Sequence, residues 1–224
     1  IAHVDHGKTT LVDAFLKQSH LFRDNQEEML QHQILDAGEL EREKGITIKA
    51  KNISIRYIDT TTNEEYKINI IDTPGHADFG GEVERTLNMA DGCILLVDAQ
   101  EGPMPQTKFV LKRALELKLK PIAVINKIDK KHADSQKVLS RLQDLFLSLA
   151  VETDQLEFPV FYAIGREGKV FKELPSGDLT IPNATSGDIT TLLKEIIDYV
   201  PAPVGSIDGP LQMQVTTLEY NSHL

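Results

Sequence analysis

The sequence predicts an α/β fold, a mixed and mostly parallel sheet with helices on both faces. Three observations carry that expectation. Residues 93–97 (Cys-Ile-Leu-Leu-Val) and 121–125 (Pro-Ile-Ala-Val-Ile) are short, continuous apolar runs, the signature of strands buried on both faces. Residues 106–119, 133–149 and 189–200 place apolar side chains at helical spacing. The two kinds of segment alternate along the chain, which is the pattern of a layered α/β sheet.

Taken in order, residues 2–8 read as a loop, and residues 9–21, with Leu11, Val12, Ala14, Phe15 and Leu16, read as a helix that opens directly behind it. Residues 22–45 are polar and rich in charge, ending in Glu39-Leu40-Glu41-Arg42-Glu43-Lys44 before Gly45; they read either as a solvated, partly helical connector or as a mobile switch, and the switch is the expectation. Residues 46–57 alternate at period two and predict a strand. Asp59-Thr60-Thr61-Thr62-Asn63-Glu64 is a turn, and residues 66–71 return as a second strand, making a hairpin. The run 158–163 predicts a further strand after the two buried ones. Pro201-Ala202-Pro203-Val204-Gly205 breaks the pattern and reads as a linker. Residues 211–218 alternate again with no helix behind them. The expected division is therefore residues 1–202 as one domain, and 203–224 as a linker with the first strand of a second, β-barrel domain. Only Ile1 precedes the first loop and the chain stops just after a strand-like run, so it is expected to be a piece of a longer protein.

Composition sets bounds on function. Of 224 residues, 41% are hydrophobic and 26% charged, which is ordinary for a soluble protein. No apolar run is long enough to span a bilayer and no signal peptide opens the chain, so no membrane partner and a cytoplasmic location are expected. The net charge of −10 argues against a large basic surface for nucleic acid within these residues. The single cysteine, Cys93, lies in an apolar strand and is expected to be a buried, inert thiol. One cysteine permits no internal disulfide, which suits a reducing cytosol.

Four constellations carry chemistry. The first is Ala2-His3-Val4-Asp5-His6-Gly7-Lys8-Thr9, with Thr10 behind it. Consecutive backbone N–H groups and a helix N-terminus converge on anionic oxygens in such a loop, so residues 5–10 are expected to bind nucleotide phosphates. Gly7 allows close backbone approach, Lys8 reaches the terminal phosphates, and the Thr9 hydroxyl ligates Mg²⁺. Ala2 stands where the usual pattern has its first glycine. His3 and His6 flank Asp5 and are expected to pack or cap the loop while its backbone does the binding. The second constellation is Asp72-Thr73-Pro74-Gly75-His76, after the apolar strand. A carboxylate at a strand's C-terminal end lies where α/β sites form. Asp72 there can hold Mg²⁺ through water, the Gly75 N–H can approach a terminal phosphate, and His76 lies beside it. The third is Asn126-Lys127-Ile128-Asp129. A carboxylate at Asp129 accepts from both the N1–H and the 2-amino group of guanine, a donor pair that adenine lacks. The Lys127 stem can lie on the base, and Asn126 can tie this loop to the first. The fourth is Thr47, after Gly45-Ile46, whose hydroxyl can complete the Mg²⁺ shell. Together they point to a P-loop GTPase, a GTP-hydrolysing switch. Against a P-loop ATPase stands Asp129, and GTP/ATP competition discriminates the two.

These motifs resemble the translational GTPases, the superfamily of elongation factor G, elongation factor Tu and LepA. The resemblance covers Ala2 to Leu224. It sharpens at Ile71-Asp72-Thr73-Pro74-Gly75-His76-Ala77-Asp78-Phe79-Gly80-Gly81-Glu82-Val83-Glu84-Arg85, and most of all at Gly102-Pro103-Met104-Pro105-Gln106-Thr107-Lys108-Phe109-Val110, which is similar to the TypA (BipA) branch of ribosome-binding GTPases. Asp208-Gly209-Pro210-Leu211-Gln212-Met213-Gln214 and Tyr220-Asn221-Ser222 look like the beginning of that branch's second domain. The resemblance implies that Lys8 and Thr9 bind phosphates and Mg²⁺, and that Asp5 helps order the terminal phosphate region, with a monovalent cation as a second candidate cofactor. It places Thr47 in the first switch and Asp72, Gly75 and His76 in the second. His76 would orient the attacking water when the ribosome docks, screened by Val4 and Ile46. Asn126, Lys127 and Asp129 would read guanine. Where the family has Ser-Ala to meet the guanine carbonyl, this chain has Ile164-Gly165; the contact is made by a backbone N–H, which Gly165 still supplies. Implied partners are GTP and GDP, and for the full-length protein the ribosome, both rRNA and ribosomal proteins; the piece itself is expected to be monomeric. No arginine finger is evident in cis, so turnover is expected to be slow and partner-stimulated. Two alternatives stay open: a LepA-like or elongation-factor-G-like translation factor, and a nucleotide-dependent scaffold with little hydrolysis, against which His76 and Thr47 weigh.

Overall fold

The computed structural model describes residues 1–18, 47, 50–59, 62–176, 187–205, 208–211, 213 and 215. Among them, helix α1 (Lys8–Gln18) follows the first loop. Strands β1 (Lys51–Ile58) and β2 (Glu65–Asp72) form an antiparallel hairpin in which Lys51 faces Asp72 and Ile58 faces Glu65. A four-stranded sheet follows in the order β3 (Gly92–Asp98), β4 (Lys120–Asn126), β5 (Val160–Ile164), β6 (Lys169–Phe171). The first three strands are parallel and β6 runs antiparallel to β5. Helices α2 (Gly80–Leu87), α3 (Pro105–Glu116), α4 (Ser135–Leu149) and α5 (Thr190–Tyr199) complete the set.

Alternation along the central strands divides the core into two layers. Leu96, Ile122, Val124 and Phe161 point to one face and pack with Leu11, Phe15 and Leu16 of α1 and Leu192 and Leu193 of α5. Leu95, Val97, Ala123 and Ile125 point to the other and pack with Leu111 and Leu115 of α3 and Val138, Leu142 and Phe146 of α4. Both faces are covered, which is why these strands read as continuous apolar runs. Each buried aliphatic or aromatic side chain in these layers contributes about 1.5–3 kcal/mol of transfer free energy. Cys93 joins a smaller apolar cluster with Val83, Leu87 and Val110. Burial pushes its thiol up to about 11, so the thiolate needed for reactivity is suppressed.

The boundaries differ from the sequence reading in instructive places. Thr47 and Ala50 lie outside any strand, and β1 begins only at Lys51. Lys51 is paired with the last residue of β2, and the partner strand then runs into Thr73-Pro74, where proline has no N–H to extend the ladder. The strand expected from residue 158 starts at Val160, although the Pro159 carbonyl already accepts from the Ala123 N–H at 2.9 Å. Helix α2, which opens on two glycines, and the three-residue β6 were not expected. Residues 201–205 belong to no helix or strand, and neither do Leu211, Met213 and Val215; the rest of the 211–218 run lies outside the described residues. So does the polar connector 22–45, and with it Ile46. No helix among the described residues is long and apolar enough to cross a membrane.

Candidate nucleotide and magnesium site

The first loop is anchored beside the sheet. Ala2 bridges Leu96 in parallel fashion, and the Leu96 N–H donates to the Ile1 carbonyl at 3.0 Å. The chain then turns through Asp5 (φ 61°) and Gly7 (φ 92°), and the Leu11 N–H donates to the Gly7 carbonyl at 3.0 Å to start α1. Asp5 is one of the few residue types that tolerates a left-handed backbone, and Gly7 is required twice over. Its φ is one that side chains rarely adopt, and a Cβ there would lie 2.5 Å from Asn126 Nδ2. The loop's N–H groups and the N-terminus of α1 thus stand where anionic oxygens are stabilised. Thr10 is exposed on the first turn of α1.

Three of the chain's hard oxygen donors meet beside Lys8. Thr9 Oγ1 lies 3.0 Å from Thr47 Oγ1 and donates to Asp72 Oδ2 at 3.2 Å. Lys8 Nζ is 2.8 Å from Asp72 Oδ1, whose side chain is fully buried. Two hydroxyls and a carboxylate are the donor chemistry Mg²⁺ takes, and their sequence positions, 9, 47 and 72, lie far apart, so only the fold gathers them. Gly75 follows in the next loop; a Cβ on it would come within 3.2 Å of the Val4 nitrogen, so a glycine lets the second loop lie against the first. His76 sits at the surface, about half exposed. Its Nδ1 is 3.1 Å from Asp78 Oδ2 and 3.4 Å from the Asp78 N–H, and its ring lies edge-on to Phe79.

The third loop closes the rim. Asn126 is buried at the end of β4; its Nδ2 donates to the His6 carbonyl at 2.9 Å and its Oδ1 accepts from the Gly165 N–H at 2.9 Å. One amide therefore joins the first loop, the third loop and the end of β5. Lys127, with φ 62°, reaches back to donate to the Asp5 carbonyl and places Nζ 2.9 Å from Asp98 Oδ2. Asp129 Oδ2 is 3.0 Å from Arg166 Nη2. Ile164 turns its side chain into the core, so only its backbone is available to a ligand. The Gly165 N–H is engaged by Asn126, so meeting a guanine carbonyl requires that it be shared or released.

Residues 1–202 match the elongation factor Tu GTP binding domain. The chain belongs to this GTP-binding family. It is 50% identical over its whole length to the "Large ribosomal subunit assembly factor BipA" of Synechocystis sp., 50% to that of Bacillus subtilis and 49% to that of Escherichia coli K12. It covers 35%, 34% and 34% of those proteins, so it spans about a third of the length of the curated relatives it matches. A crystal structure of a Thermus thermophilus protein shares the fold, with a TM-score of 0.56 and 24% identity over 64% of this chain and 21% of that one. The resemblance to the TypA (BipA) branch thus extends along the chain, and the α/β P-loop GTPase fold is the one observed.

Within this GTP-binding domain, several supporting residues escaped the sequence reading. Asp98 ends β3 and holds Lys127. Burial raises its carboxyl, but the Lys127 hydrogen bond, the Gln100 N–H and the charges of Lys127 and Lys130 outweigh that and set it below the usual carboxylate value. Glu101 and Gln106 grip the two loop histidines. His6 is fully buried, with Nε2 3.2 Å from Glu101 Oε2 and Nδ1 accepting from the Asp98 N–H at 3.3 Å. Burial lowers its pKa, against the opposing pull of Glu101 and of the Leu96 carbonyl, which lies 3.4 Å from the same Nδ1. His3 Nδ1 pairs with Gln106 Oε1, and its ring stands edge-on to His6 at 5.2 Å. Arg141 braces the same segment by donating to the Glu101 carbonyl at 2.8 Å. Gln106 lies in the stretch where the family resemblance is sharpest, but no local pattern says that it touches a residue 103 positions away.

Proposed function

We propose that this chain is the nucleotide switch of a ribosome-associated translational GTPase, binding GTP with Mg²⁺ and hydrolysing it to GDP and phosphate. The observation that carries the reading is the convergence of Thr9, Thr47 and Asp72 beside Lys8, with Asn126 tying that centre to the loop that bears Asp129. Lys8 exchanges Asp72 for the terminal phosphates, the backbone N–H groups after Asp5 cradle the remaining oxygens, and Asp129 selects the base. Thr9, Thr47 and Asp72 would hold Mg²⁺, which would supply charge that offsets what accumulates on the phosphate oxygens. Catalysis of this kind is mainly positioning and charge stabilisation. His76 orients the attacking water once it leaves Asp78, a rearrangement its surface position permits. The names of the relatives favour the large ribosomal subunit as the partner of the full-length protein; the match over residues 1–202 favours these as the GTP-binding unit, and we propose further that residues 203–224 lead into a second domain and that the protein works in the cytoplasm.

The deciding test is base choice. Asp129→Asn replaces an acceptor-only carboxylate by an amide that also donates, matching the 2-oxo group of xanthine in place of the 2-amino group of guanine. The variant should lose GTP and gain XTP in competition binding. A variant that still prefers GTP over XTP removes Asp129 from the base site and the reading with it.

A further inference from the structure

The turn that follows β5 carries an arginine whose position bears on the same base site. Residues Gly165–Glu167 form a single 3-10 turn closed by Gly168 at φ 65°. From it Arg166 extends back so that Nη2 lies 3.0 Å from Asp129 Oδ2. Arg166 is 63% exposed and Asp129 only 10%, so a solvent-anchored arm caps a nearly buried carboxylate. A second acceptor is within reach of the same nitrogen, Glu167 Oε1 at 3.8 Å. Glu167 in turn is held by Lys169 Nζ at 2.8 Å, so it is a fixed alternative berth.

We propose that Arg166 competes with guanine for the Asp129 carboxylate, and that the base binds as the arginine swings from Asp129 to Glu167. The proposal rests on the assignment of Asp129 as the base-reading group. Its chemistry follows from the donor sets. A guanidinium presents adjacent, coplanar N–H groups suited to a carboxylate, and the N1–H and 2-amino edge of guanine presents the same kind of planar donor pair. Arg166 therefore holds against Asp129, through one nitrogen at 3.0 Å, the same class of donor that the base would supply. The arginine immediately follows Gly165, the residue expected to meet the guanine carbonyl, so the competitor is mounted on the wall of the base pocket. A carboxylate as enclosed as Asp129 is costly to leave without a donor, and Arg166 removes that cost in the structure as it stands. An ion pair with one exposed partner shifts an equilibrium by roughly two- to fivefold. The consequence is a moderate lowering of guanine nucleotide affinity, greatest at low salt, because the pair is screened as ionic strength rises.

The test uses the chain as it is, with GDP and Mg²⁺ as the probe, by calorimetry and by stopped-flow with a fluorescent GDP analogue. Arg166→Ala should tighten GDP binding by roughly two- to fivefold at low salt, chiefly through a faster association rate, and the gain should shrink as salt is added. Arg166→Lys, which keeps the charge without the planar fork, should fall between the two. In thermal melts without added nucleotide, Arg166→Ala should unfold earlier than the wild type, yet gain more from added GDP. Equal or weaker GDP binding by Arg166→Ala overturns the proposal, since the arginine is then a bystander or a nucleotide contact. The two levels separate cleanly: if wild type and Asp129→Asn bind GDP alike, the base-site assignment and the competition both fail. If Asp129→Asn loses GDP while Arg166→Ala gains nothing, the competition alone fails.

Discussion

Asn126 offers the most demanding check on the way the site is assembled. Its side chain is 2% exposed and closes two hydrogen bonds of 2.9 Å, to the His6 carbonyl and from the Gly165 N–H. Asn126→Ala leaves both backbone groups without a partner, at about 1–3 kcal/mol each when buried. The vacated volume borders the phosphate loop, and a water entering it recovers part of the loss, so the expected destabilisation is about 2–4 kcal/mol. At about 2–4 °C per kcal/mol for a chain of this size, the thermal midpoint should fall by roughly 4–16 °C. Asn126→Asp is the sharper variant. It keeps an acceptor for Gly165 but turns an oxygen toward the His6 carbonyl and buries a charge, so it should be at least as damaging as alanine despite its near-identical shape. Because the amide joins the loops proposed to bind phosphates and base, GDP affinity should drop by at least about tenfold, or 1.4 kcal/mol, in both variants. Urea unfolding with calorimetric GDP titration measures the two effects separately. Variants within about 0.5 kcal/mol of wild type, the range of ordinary surface substitutions, with unaltered GDP binding would refute the linchpin role.

Other expectations follow from the same geometry. Lys8→Ala removes the cation at the phosphates and leaves the buried Asp72 without its ion pair, so calorimetry should detect neither GTP nor GDP binding; wild-type affinity would contradict the loop's role. The folded state holds His6 below its ordinary pKa of 6.5, so between the two values the unfolded chain binds more protons and stability must rise with pH, levelling off above the unfolded value. Melting temperature should therefore fall from about pH 7.5 to about pH 5.5, and the fall should be smaller in His6→Gln; equal slopes would mean that another group controls it. On the proposed function, His76→Ala in the full-length protein should keep GTP binding and lose most of any ribosome-stimulated turnover, since positioned groups of this kind contribute roughly 10²–10⁴-fold; stimulated turnover within about twofold of wild type would assign catalysis elsewhere.

The sequence by itself determined the order of strands and helices, because burial on two faces leaves continuous apolar runs at residues 93–97 and 121–125 and one-sided burial leaves helical spacing at 133–149. It also determined the motifs, since the loop at residues 2–9 and the tetrapeptide at 126–129, proposed to bind phosphates and base, are local in the chain and owe their chemistry to residue type and spacing. Short elements escaped it: β6 has three residues and no period to read, and α2 begins with two poor helix formers. Thr47 read as part of a strand because alternation does not reveal where a partner stops supplying N–H groups. Tertiary structure alone decided the contacts between distant residues. Thr9, Thr47 and Asp72 come together only when the hairpin lies against α1, and Glu101, Gln106 and Arg166 find His6, His3 and Asp129 only across the sheet's ligand end. Single polar side chains carry no periodic signal, and their partners are chosen by how the packed layers bring chain segments together. The supporting residues of this site are therefore set by packing, while the groups proposed to bind phosphate and base are set by sequence.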